Sequence, residues 1–437
     1  MILGDLIDAG YAEIRTGPFG TQLRASDYVA VGRPVLNVRN VGLGDVRPEK
    51  FEFVDEATAQ RLAGHILEDG DIVFGRKGAV ERHAFIRSAY VGALQGSDCI
   101  RLRFAPTAPI KPGFATFALR TSAHQSWMQS YCSHGATMAS LNQEILRQIE
   151  FPELGLPEQA AVVRVLQSID DLIENNRRRI DVLEQMAHAV YREWFVRFRY
   201  PGHDHATIVD SPLGPIPEGW SVRSVASIAA SQRNAVTGGP FGSKLGTRDY
   251  LPSGVPVLRG GNLKLGGGFD ETEVVFVSKE KAQELSGCAA ARGDVVITQR
   301  GTLGQVGMIP EWSRFTRYVL SQSQMKVTVD QDQITPEYFY AQFRSPEATG
   351  RFVAQAMSSG VPHVNLALLR EFEFVLPSLP LQVDFSSIVR PLAMEQGLLQ
   401  CLTDQLSTLR DMLLPKLVSG QIDVSGLDLD LLLETVA

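Results

Sequence analysis

The segment GPFGTQLRASDYVAVGRPVLNVRN, residues 17–40, occurs a second time as GPFGSKLGTRDYLPSGVPVLRGGN, residues 239–262. The two copies align without gaps and share twelve of twenty-four residues. Chance does not produce such a match, and a repeat of this kind determines the architecture before any other feature. The chain is therefore an internal duplication, which predicts two domains of the same fold.

Further matches follow in the same order in both halves. GDIVFGRKG (70–78) corresponds to GDVVITQRG (293–301), and the alternating strand IRLRF (100–104) corresponds to MKVTV (325–329). Each half then has a helix-like stretch that ends near Arg120 or Arg344, a glycine-centred loop at 133–138 or 358–363, and a closing Pro152 or Pro377. The preserved order indicates two complete copies of a mixed α/β domain.

A long heptad-like segment follows each copy. Apolar residues spaced by three and four residues predict a helical seam rather than a short amphipathic helix. In the first segment these residues are Leu166, Ile169, Ile173, Ile180, Leu183, Ala187, Val190 and Trp194. In the second they are Phe385, Leu392, Leu399, Leu406 and Leu413, with Ile388, Leu402 and Leu409 as the other stripe. Polar residues interrupt the seams at Asn176 and Glu395.

Such long helices cannot be buried by a small domain, so the two are expected to pair with each other. Antiparallel pairing fits the pseudo-twofold symmetry expected of a duplicated unit. The predicted fold class is α+β, with two tandem mixed α/β domains, each followed by a long helix, and the helices paired as an antiparallel coiled coil. The predicted parts are domain 1 (1–155), helix 1 (156–200), linker and domain 2 (201–378), helix 2 (379–425) and an acidic tail (426–437).

Composition restricts the class of protein. The 42 Lys and Arg residues against 49 Asp and Glu give a net charge of −7, which at face value argues against a polyanion-binding protein. Residues 379–437 carry five of these seven excess negative charges, so both domains are nearly neutral. No apolar run is long enough to span a bilayer and Met1–Asp8 lacks a basic start, which favours a cytoplasmic protein without membrane contact.

Catalytic and metal-binding patterns are weak. The segment around Gly70 and Lys77 lacks the phosphate-loop pattern, and the His203–His205 pair has no third metal ligand nearby in sequence. Asp71 and Asp294 are expected to cap turns rather than to catalyse. We expect no cofactor and no metal in this chain.

The loops between the predicted strands carry side chains suited to phosphates and base edges. Arginine can bind guanine bidentately, and asparagine or glutamine can read adenine in the same way. The candidates in the first half are Gln22, Arg24, Asn37, Arg39, Asn40, Arg76, Lys77 and His134. Those in the second half are Lys244, Arg248, Arg259, Asn262, Gln299, Arg300 and His363.

The two halves differ at the candidate positions while the frame is retained. The Gly, Pro, Phe, Asp and Tyr residues of the first block are shared, whereas Gln22, Arg24, Asn37 and Arg76 are replaced by Lys244, Gly246, Arg259 and Gln299. This pattern is expected if one scaffold presents two recognition surfaces, although neutral drift of surface loops would give the same result.

The shared block, the GD[IV]V turn, the helix starts Pro157-Glu-Gln159 and Pro380-Leu-Gln382, and the ending at 409–422 form one ordered set. With this set the chain resembles the specificity subunit of type I restriction-modification enzymes over nearly its whole length. The resemblance implies two target recognition domains, each reading one half of a bipartite, asymmetric double-stranded DNA site. The helix pair would then act as a ruler for the spacer.

The resemblance also implies partners. Two methyltransferase subunits would dock on the helices and supply S-adenosylmethionine, and restriction-translocase subunits would join for cleavage. The chain itself would be a non-catalytic recognition subunit. Exposed Arg177–Arg179, Glu184 and Arg192 are candidates for partner contacts.

Two other classes of protein are considered. A single-chain restriction and methylation enzyme would need a nuclease or methylase motif, and none is visible. A coiled-coil scaffold with two duplicated protein-binding domains and no DNA role is the alternative reading.

Overall fold

The computed structural model describes residues 1–132, 139–263, 268–271, 273–357, 364–424 and 426. The chain forms two compact units. Unit 1 contains Met1–Asn175 and Leu402–Ala437, and unit 2 contains Asn176–Cys401. Among the described residues no helix combines the length and apolar character needed to cross a membrane.

The elements up to the first long helix belong to the first repeat. Its strands are β1 Ala12–Thr16, β2 Tyr28–Val29, β3 Arg33–Leu36, β4 Glu52–Val54, β5 Ile72–Gly75, β6 His83–Phe85, β7 Leu94–Gln95 and β8 Cys99–Phe104. Its helices are α1 Leu3–Asp8, α2 Glu56–Arg61, α3 Pro112–Leu119, α4 Ser122–Cys132, α5 Gln143–Arg147 and the long α6 Leu156–Tyr191. A short π-helical turn, Arg192–Val196, continues α6.

The second repeat follows a small hairpin in the linker. The strands are β9 Ile208–Val209 and β10 Ile216–Pro217 in the hairpin, then β11 Ser221–Ser224, β12 Val236–Gly238, β13 Val255–Leu258, β14 Val275–Val277, β15 Ala289–Ala291, β16 Val295–Thr298, β17 Val306–Met308, β18 Arg317–Leu320, β19 Gln324–Val327 and β20 Glu373–Leu376. The helices are α7 Val225–Ile228, α8 Lys279–Glu284, α9 Pro336–Arg344, α10 Pro346–Met357, α11 Leu366–Glu371 and α12 Leu379–Val418.

The two repeats share the strand order of one four-stranded sheet and three adjacent strands of the other, whose fourth strand lies at opposite edges, β2 beside β4 and β15 beside β18. The first has sheets ordered β1-β8-β5-β6 and β2-β4-β3-β7, and the second has β12-β19-β16-β17 and β14-β13-β18-β15. Registers agree as well, because Ile72 lies opposite Leu102 and Val295 lies opposite Val327. The structure is α+β, as predicted, and the same polypeptide frame is built twice.

A buried glutamine docks each long helix against its own repeat. The Gln159 amide oxygen accepts from the Lys111 backbone N–H at 2.8 Å, and its Nε2 donates to the carbonyls of Pro109 and Leu154. Gln382 repeats this arrangement with the Thr335 N–H and the Pro377 and Gln333 carbonyls. Both side chains are fully buried. The two Pro-x-Gln motifs are therefore explained by hydrogen bonds to backbone atoms alone.

In unit 2, α6 and α12 run antiparallel. Gln396 donates to the Ile180 carbonyl at 3.3 Å, Arg179 forms an ion pair with Glu395 at 2.7 Å, and the rings of Tyr191 and Phe385 lie 6.2 Å apart. Residue 179 of α6 contacts residue 395 of α12, whereas residue 191 contacts residue 385, so the two helices run in opposite directions. Arg179 and Glu184, predicted to face partners, are engaged here, because Glu184 pairs with Arg344.

The predicted seam residues differ in burial. Leu166, Ile169, Ile173 and Leu399 are buried, whereas Ile180, Leu183, Trp194, Leu392, Leu406 and Leu413 are half-buried. The predicted second stripe of α12 is wrong. Ile388, Leu402 and Leu409 are each about 40% exposed, while Val389 and Thr403 are buried. The buried positions lie four residues after Phe385 and Leu399, where a helix with 3.6 residues per turn comes closer to its starting face than it does after three residues.

In unit 1, the Asp170 carboxylate on α6 joins three elements. It pairs with Arg120, which follows α3, at 2.5 Å and with Arg410 of α12 at 3.1 Å. Burial alone would raise the pKa of Asp170, but the hydrogen bonds and charges of Arg120 and Arg410 outweigh it. The pKa of Asp170 therefore lies below its usual value of 3.8.

We expect Asp170→Asn to lower the free energy of unfolding at pH 7 by about 1.5–3 kcal/mol, because hydrogen bonds to charged partners are lost. A depressed folded-state pKa contributes stability above the unfolded pKa, and this contribution disappears as pH falls through the folded pKa. Urea unfolding, monitored by amide hydrogen exchange at residues 402–418, should show the difference in stability between wild type and Asp170→Asn at neutral pH. This difference should become smaller below pH 3.8.

The matched control is Asp171→Asn on the same helix. Asp171 is exposed, and its ion pair with Arg87 spans 3.9 Å. We expect a change of under about 1 kcal/mol for this variant. Equal effects of the two substitutions, or a difference that persists unchanged at low pH, would contradict the assignment to Asp170.

Candidate nucleic-acid interface

Four loop segments meet at one end of the first repeat. The turn at 96–99, which leads into β8, holds the other three by backbone hydrogen bonds. Gly17 N–H donates to the Cys99 carbonyl at 2.8 Å, Gly96 N–H to Leu36 at 2.9 Å, and Arg76 N–H to Asp98 at 2.9 Å. The segments after β1, β3 and β5, which carry most of the predicted contact residues, are therefore neighbours.

The second repeat builds the same junction with different residues. Gly239 N–H donates to the Gln324 carbonyl at 2.9 Å, Ser321 N–H to Leu258 at 2.9 Å, and Gln299 N–H to Ser323 at 2.8 Å. The segments after β12, β13 and β16 thus meet at the turn before β19. Each repeat has one composite loop surface at the equivalent end of its sheets.

The first glycine of each GPFG loop is required by close packing. A Cβ atom on Gly17 would lie 2.0 Å from the Gly96 carbonyl oxygen, and one on Gly239 would lie 1.8 Å from that of Ser321. Real Cβ atoms do not approach backbone oxygens so closely. These glycines therefore hold the loop against the neighbouring turn.

In the first repeat, several predicted contact residues are exposed on this surface. Gln22, Arg24, Arg39 and Lys77 are exposed, and Arg76 and Asn37 are half-buried. Acidic neighbours balance some of them. Arg39 lies 3.7 Å from Glu52, Lys77 lies 3.6 Å from Asp98, and Asn37 donates to Glu52 at 2.7 Å. Exposed pairs of this kind exchange partners at small cost.

In the second repeat, Lys244, Arg248 and Arg300 are exposed and Arg259 is half-buried. Arg248 donates to the Ser243 carbonyl at 3.1 Å within its own loop. Arg259 donates to the Glu273 carbonyl at 2.8 Å. Among the predicted residues that are exposed or half-buried, this surface presents four cations and no amide, whereas the first presents four cations and two amides.

Three predicted contact residues are unsuited to reading bases. Asn40 and Asn262 are 0% and 4% exposed. The Asn40 oxygen accepts from Asn37 N–H and its amide donates to the carbonyls of Arg47 and Glu49. Asn262 makes the corresponding bonds. Gln299 is also buried and donates to the Gln322 carbonyl. Their hydrogen-bonding groups hold the loops together.

The remaining predictions concern two turn caps, two histidines and metal binding. Asp71 and Asp294 accept backbone N–H groups of their own turns, from Glu68 at 2.7 Å and Ala291 at 2.8 Å, and so act as turn caps. His134 and His363 lie outside the described residues. Within the part of the chain that is described, no cluster of three or more His, Cys, Asp or Glu side chains could hold a metal ion.

Sequence reasoning missed one pair of exposed residues. It assigned the phenylalanine of the GPFG block to the structural frame, yet Phe19 and Phe241 are 64% and 65% exposed. The available signal was their position between two loop glycines, where no strand or helix period would bury them. Both project from the loop that contributes Gln22 or Lys244.

Comparison with known proteins adds independent information. Residues 217–403 match the family described as Type I restriction modification DNA specificity domain. The type I restriction enzyme MjaIX specificity subunit of Methanocaldococcus jannaschii is 22% identical over 300 residues, which are 68% of this chain and 66% of that protein. The putative MjaX specificity subunit of the same organism is 24% identical over 196 residues, 44% of this chain and 45% of that protein.

The fold is also found in a solved structure. The S subunit of a type I restriction-modification system from M. genitalium superposes with a TM-score of 0.59 at 16% identity, covering 95% of each chain. The chain spans slightly less than two thirds of the length of the MjaIX subunit and less than half of the length of the MjaX subunit. Residues 217–403 therefore match a type I DNA specificity domain, the chain is similar in sequence to type I specificity subunits, and it shares the fold of a solved S subunit.

Proposed function

We propose that this chain is the DNA sequence-specificity subunit of a type I restriction-modification system. Each repeat would read one half of a bipartite, asymmetric site in double-stranded DNA. The observation that carries the proposal is the composite loop surface, which is built twice on the same backbone frame but presents different side chains. Two different surfaces on one frame suit two different half-sites.

The proposed contact set is revised from the sequence prediction. In the first repeat it comprises Gln22, Arg24, Asn37, Arg39, Arg76 and Lys77. In the second it comprises Lys244, Arg248, Arg259 and Arg300. Arginines and amides at this surface can read base edges in the major groove, and the remaining cations can contact phosphates. Asn40, Asn262 and Gln299 are assigned to the support of the loops instead.

The chain acts without catalytic residues of its own. Two methyltransferase subunits would bind S-adenosylmethionine and modify adenine, and restriction-translocase subunits would join the complex in the cytoplasm. The near-neutral charge of both repeats supports this division of labour, because affinity for the phosphate backbone grows with the number of phosphates neutralised. Tight DNA binding would therefore need the methyltransferase partners.

The test uses the chain reconstituted with its methyltransferase subunits. Methylome sequencing of cells that express this complex should reveal one modified motif with two defined parts and an unspecific spacer. A mobility-shift assay with that motif should show sequence-specific binding. Absence of both signals, with an intact complex, would leave the duplicated protein-binding scaffold as the better interpretation.

The long helices lead to a second testable expectation. Helices α6 and α12 contain 36 and 40 residues, which correspond to about 54 and 60 Å. If they set the spacer, removal of seven residues from each should shorten the spacer while both half-sites stay the same. Methylome sequencing reads the result directly. A spacer of unchanged length would contradict the role of the helices as a ruler.

A further inference from the structure

The two GPFG loops hold an aromatic ring in the same exposed setting. In each loop the proline before the phenylalanine is buried, and the glycine after it has a positive φ of 65°. Phe19 and Phe241 lie between these fixed points and are about two thirds exposed. An apolar side chain of this size is more stable when it is removed from water. Its exposure at the same position of both repeats therefore calls for a binding role.

The loops are held rigidly by different residues. In the first repeat, the Arg61 guanidinium donates to the Gln22 carbonyl at 2.6 Å. In the second, the Gln322 amide donates to the Leu245 carbonyl at 3.2 Å and also to that of Gly242. Buried Leu23 and Leu245 anchor the far side of each loop. The two loops are held by different hydrogen bonds, yet both expose a phenylalanine ring at the same position. This agreement indicates that the position of the ring has a function.

The surroundings of the rings favour DNA over an apolar protein groove. The exposed neighbours on the two loops are Gln22 and Arg24 in one and Lys244 and Arg248 in the other. The acidic residue of each loop is turned inward. Asp27 accepts from the Arg24 N–H at 2.9 Å, and Asp249 accepts from the Gly246 N–H at 2.8 Å. A single ring beside cations and amides suits stacked bases flanked by phosphates.

We propose that Phe19 and Phe241 are wedge residues, each inserting its ring between stacked bases of its own half-site. The inference rests on the proposed function, since it names how the same loop surface engages DNA. Apolar wedges partly unstack a base step and kink the duplex, which brings further protein groups into contact. The flanking Gln22 and Arg24, or Lys244 and Arg248, would contact the groove edge or phosphates beside the opened step.

The test uses the complex with methyltransferase subunits and duplexes that carry the motif found by methylome sequencing. 2-Aminopurine replaces, one at a time, the purines other than the methylated adenine. The wild-type complex should raise the fluorescence at one step in each half-site. Phe19→Ala should abolish the signal in one half-site only and weaken binding about 10-fold, as expected for loss of one base-aromatic stack. Phe241→Ala should do the same in the other.

Two further variants serve as controls. Phe19→Leu keeps an apolar wedge and should retain most of the signal. Tyr11→Ala removes an exposed aromatic ring at the opposite end of β1, next to Ala12, and should leave binding and fluorescence unchanged.

The outcomes separate this inference from the proposed function. If the wild-type complex shows no sequence-specific binding, the proposed function fails. If it binds specifically but Phe19→Ala and Phe241→Ala leave fluorescence and affinity unchanged, the wedge alone is refuted. The wedge is also refuted if either variant loses the methyltransferase subunits in the absence of DNA, because the ring would then be a protein contact.

Discussion

Replacing residues 1–155 with the first domain of another family member is expected to change one half-site completely and to leave the other unaltered. One contact that joins this domain to α6 does not depend on the side chains of the domain. Gln159 on the helix bonds only to backbone atoms of Pro109, Lys111 and Leu154, so any domain with the same backbone can accept it. The second repeat, which has its own loop surface, is not altered by the replacement.

The donor domain should keep an arginine at the position of Arg120, because that side chain pairs with Asp170 of the retained helix. Methylome sequencing of cells that express the chimera with the methyltransferase subunits gives the new motif. The reciprocal exchange of residues 201–378 is the matched control and should alter the opposite half-site. A change of both half-sites in either chimera would show that the repeats do not read DNA independently.

Lys326→Met is expected to lower the free energy of unfolding by about 3–5 kcal/mol, because it leaves a buried carboxylate without its cation. The Lys326 ammonium lies 2.8 Å from the Asp294 carboxylate and 3.0 Å from the Thr328 hydroxyl. Both members of the pair are buried. Methionine retains most of the apolar volume, so the change isolates the charge.

Urea unfolding of the full chain, monitored by amide hydrogen exchange at residues 295–298 and 324–327, measures the loss in free energy of unfolding. Lys281→Met is the matched control, since Lys281 pairs across 3.0 Å with an exposed Glu284 on the same helix. A change of under about 1 kcal/mol is expected there. If the two substitutions cost the same, the buried pair makes no special contribution to the repeat.

The duplicated fold was predictable because the shared residues are those that the backbone requires. Gly17 and Gly239 are needed by a close approach, and Gln159 and Gln382 are needed to dock the helices. Such residues recur in both copies, so comparison of the chain with itself shows them. The buried pair at Asp294 was not predictable in this way. Its counterpart Asp71 pairs with Arg103, which lies two residues further along the equivalent strand than Lys326.

The residues that are exposed on the loop surface were predicted only in part. An asparagine in a loop can read a base or bind its own backbone, and residue type does not distinguish Asn37, which is half-buried, from Asn40, which is buried. Phe19 was assigned a structural role because both copies share it. A shared residue can also be kept for function, and Phe19 is exposed rather than packed. The prediction of a stripe at Ile388 was wrong because the buried neighbours of Phe385 and Leu399 lie four residues further along α12 and not three.

Unit 1 begins first along the chain, but it is completed last, because its C-terminal segment follows the whole of unit 2. The core of unit 1 includes Leu414, Leu417 and Val418 from the end of α12, whereas unit 2 is contained in residues 176–401. During synthesis the first repeat therefore waits for residues made roughly 10–45 s later at ordinary translation rates. Until then its apolar surface near Leu166 lacks its final cover. A nascent chain therefore exposes this apolar surface until residues 414–418 have been made.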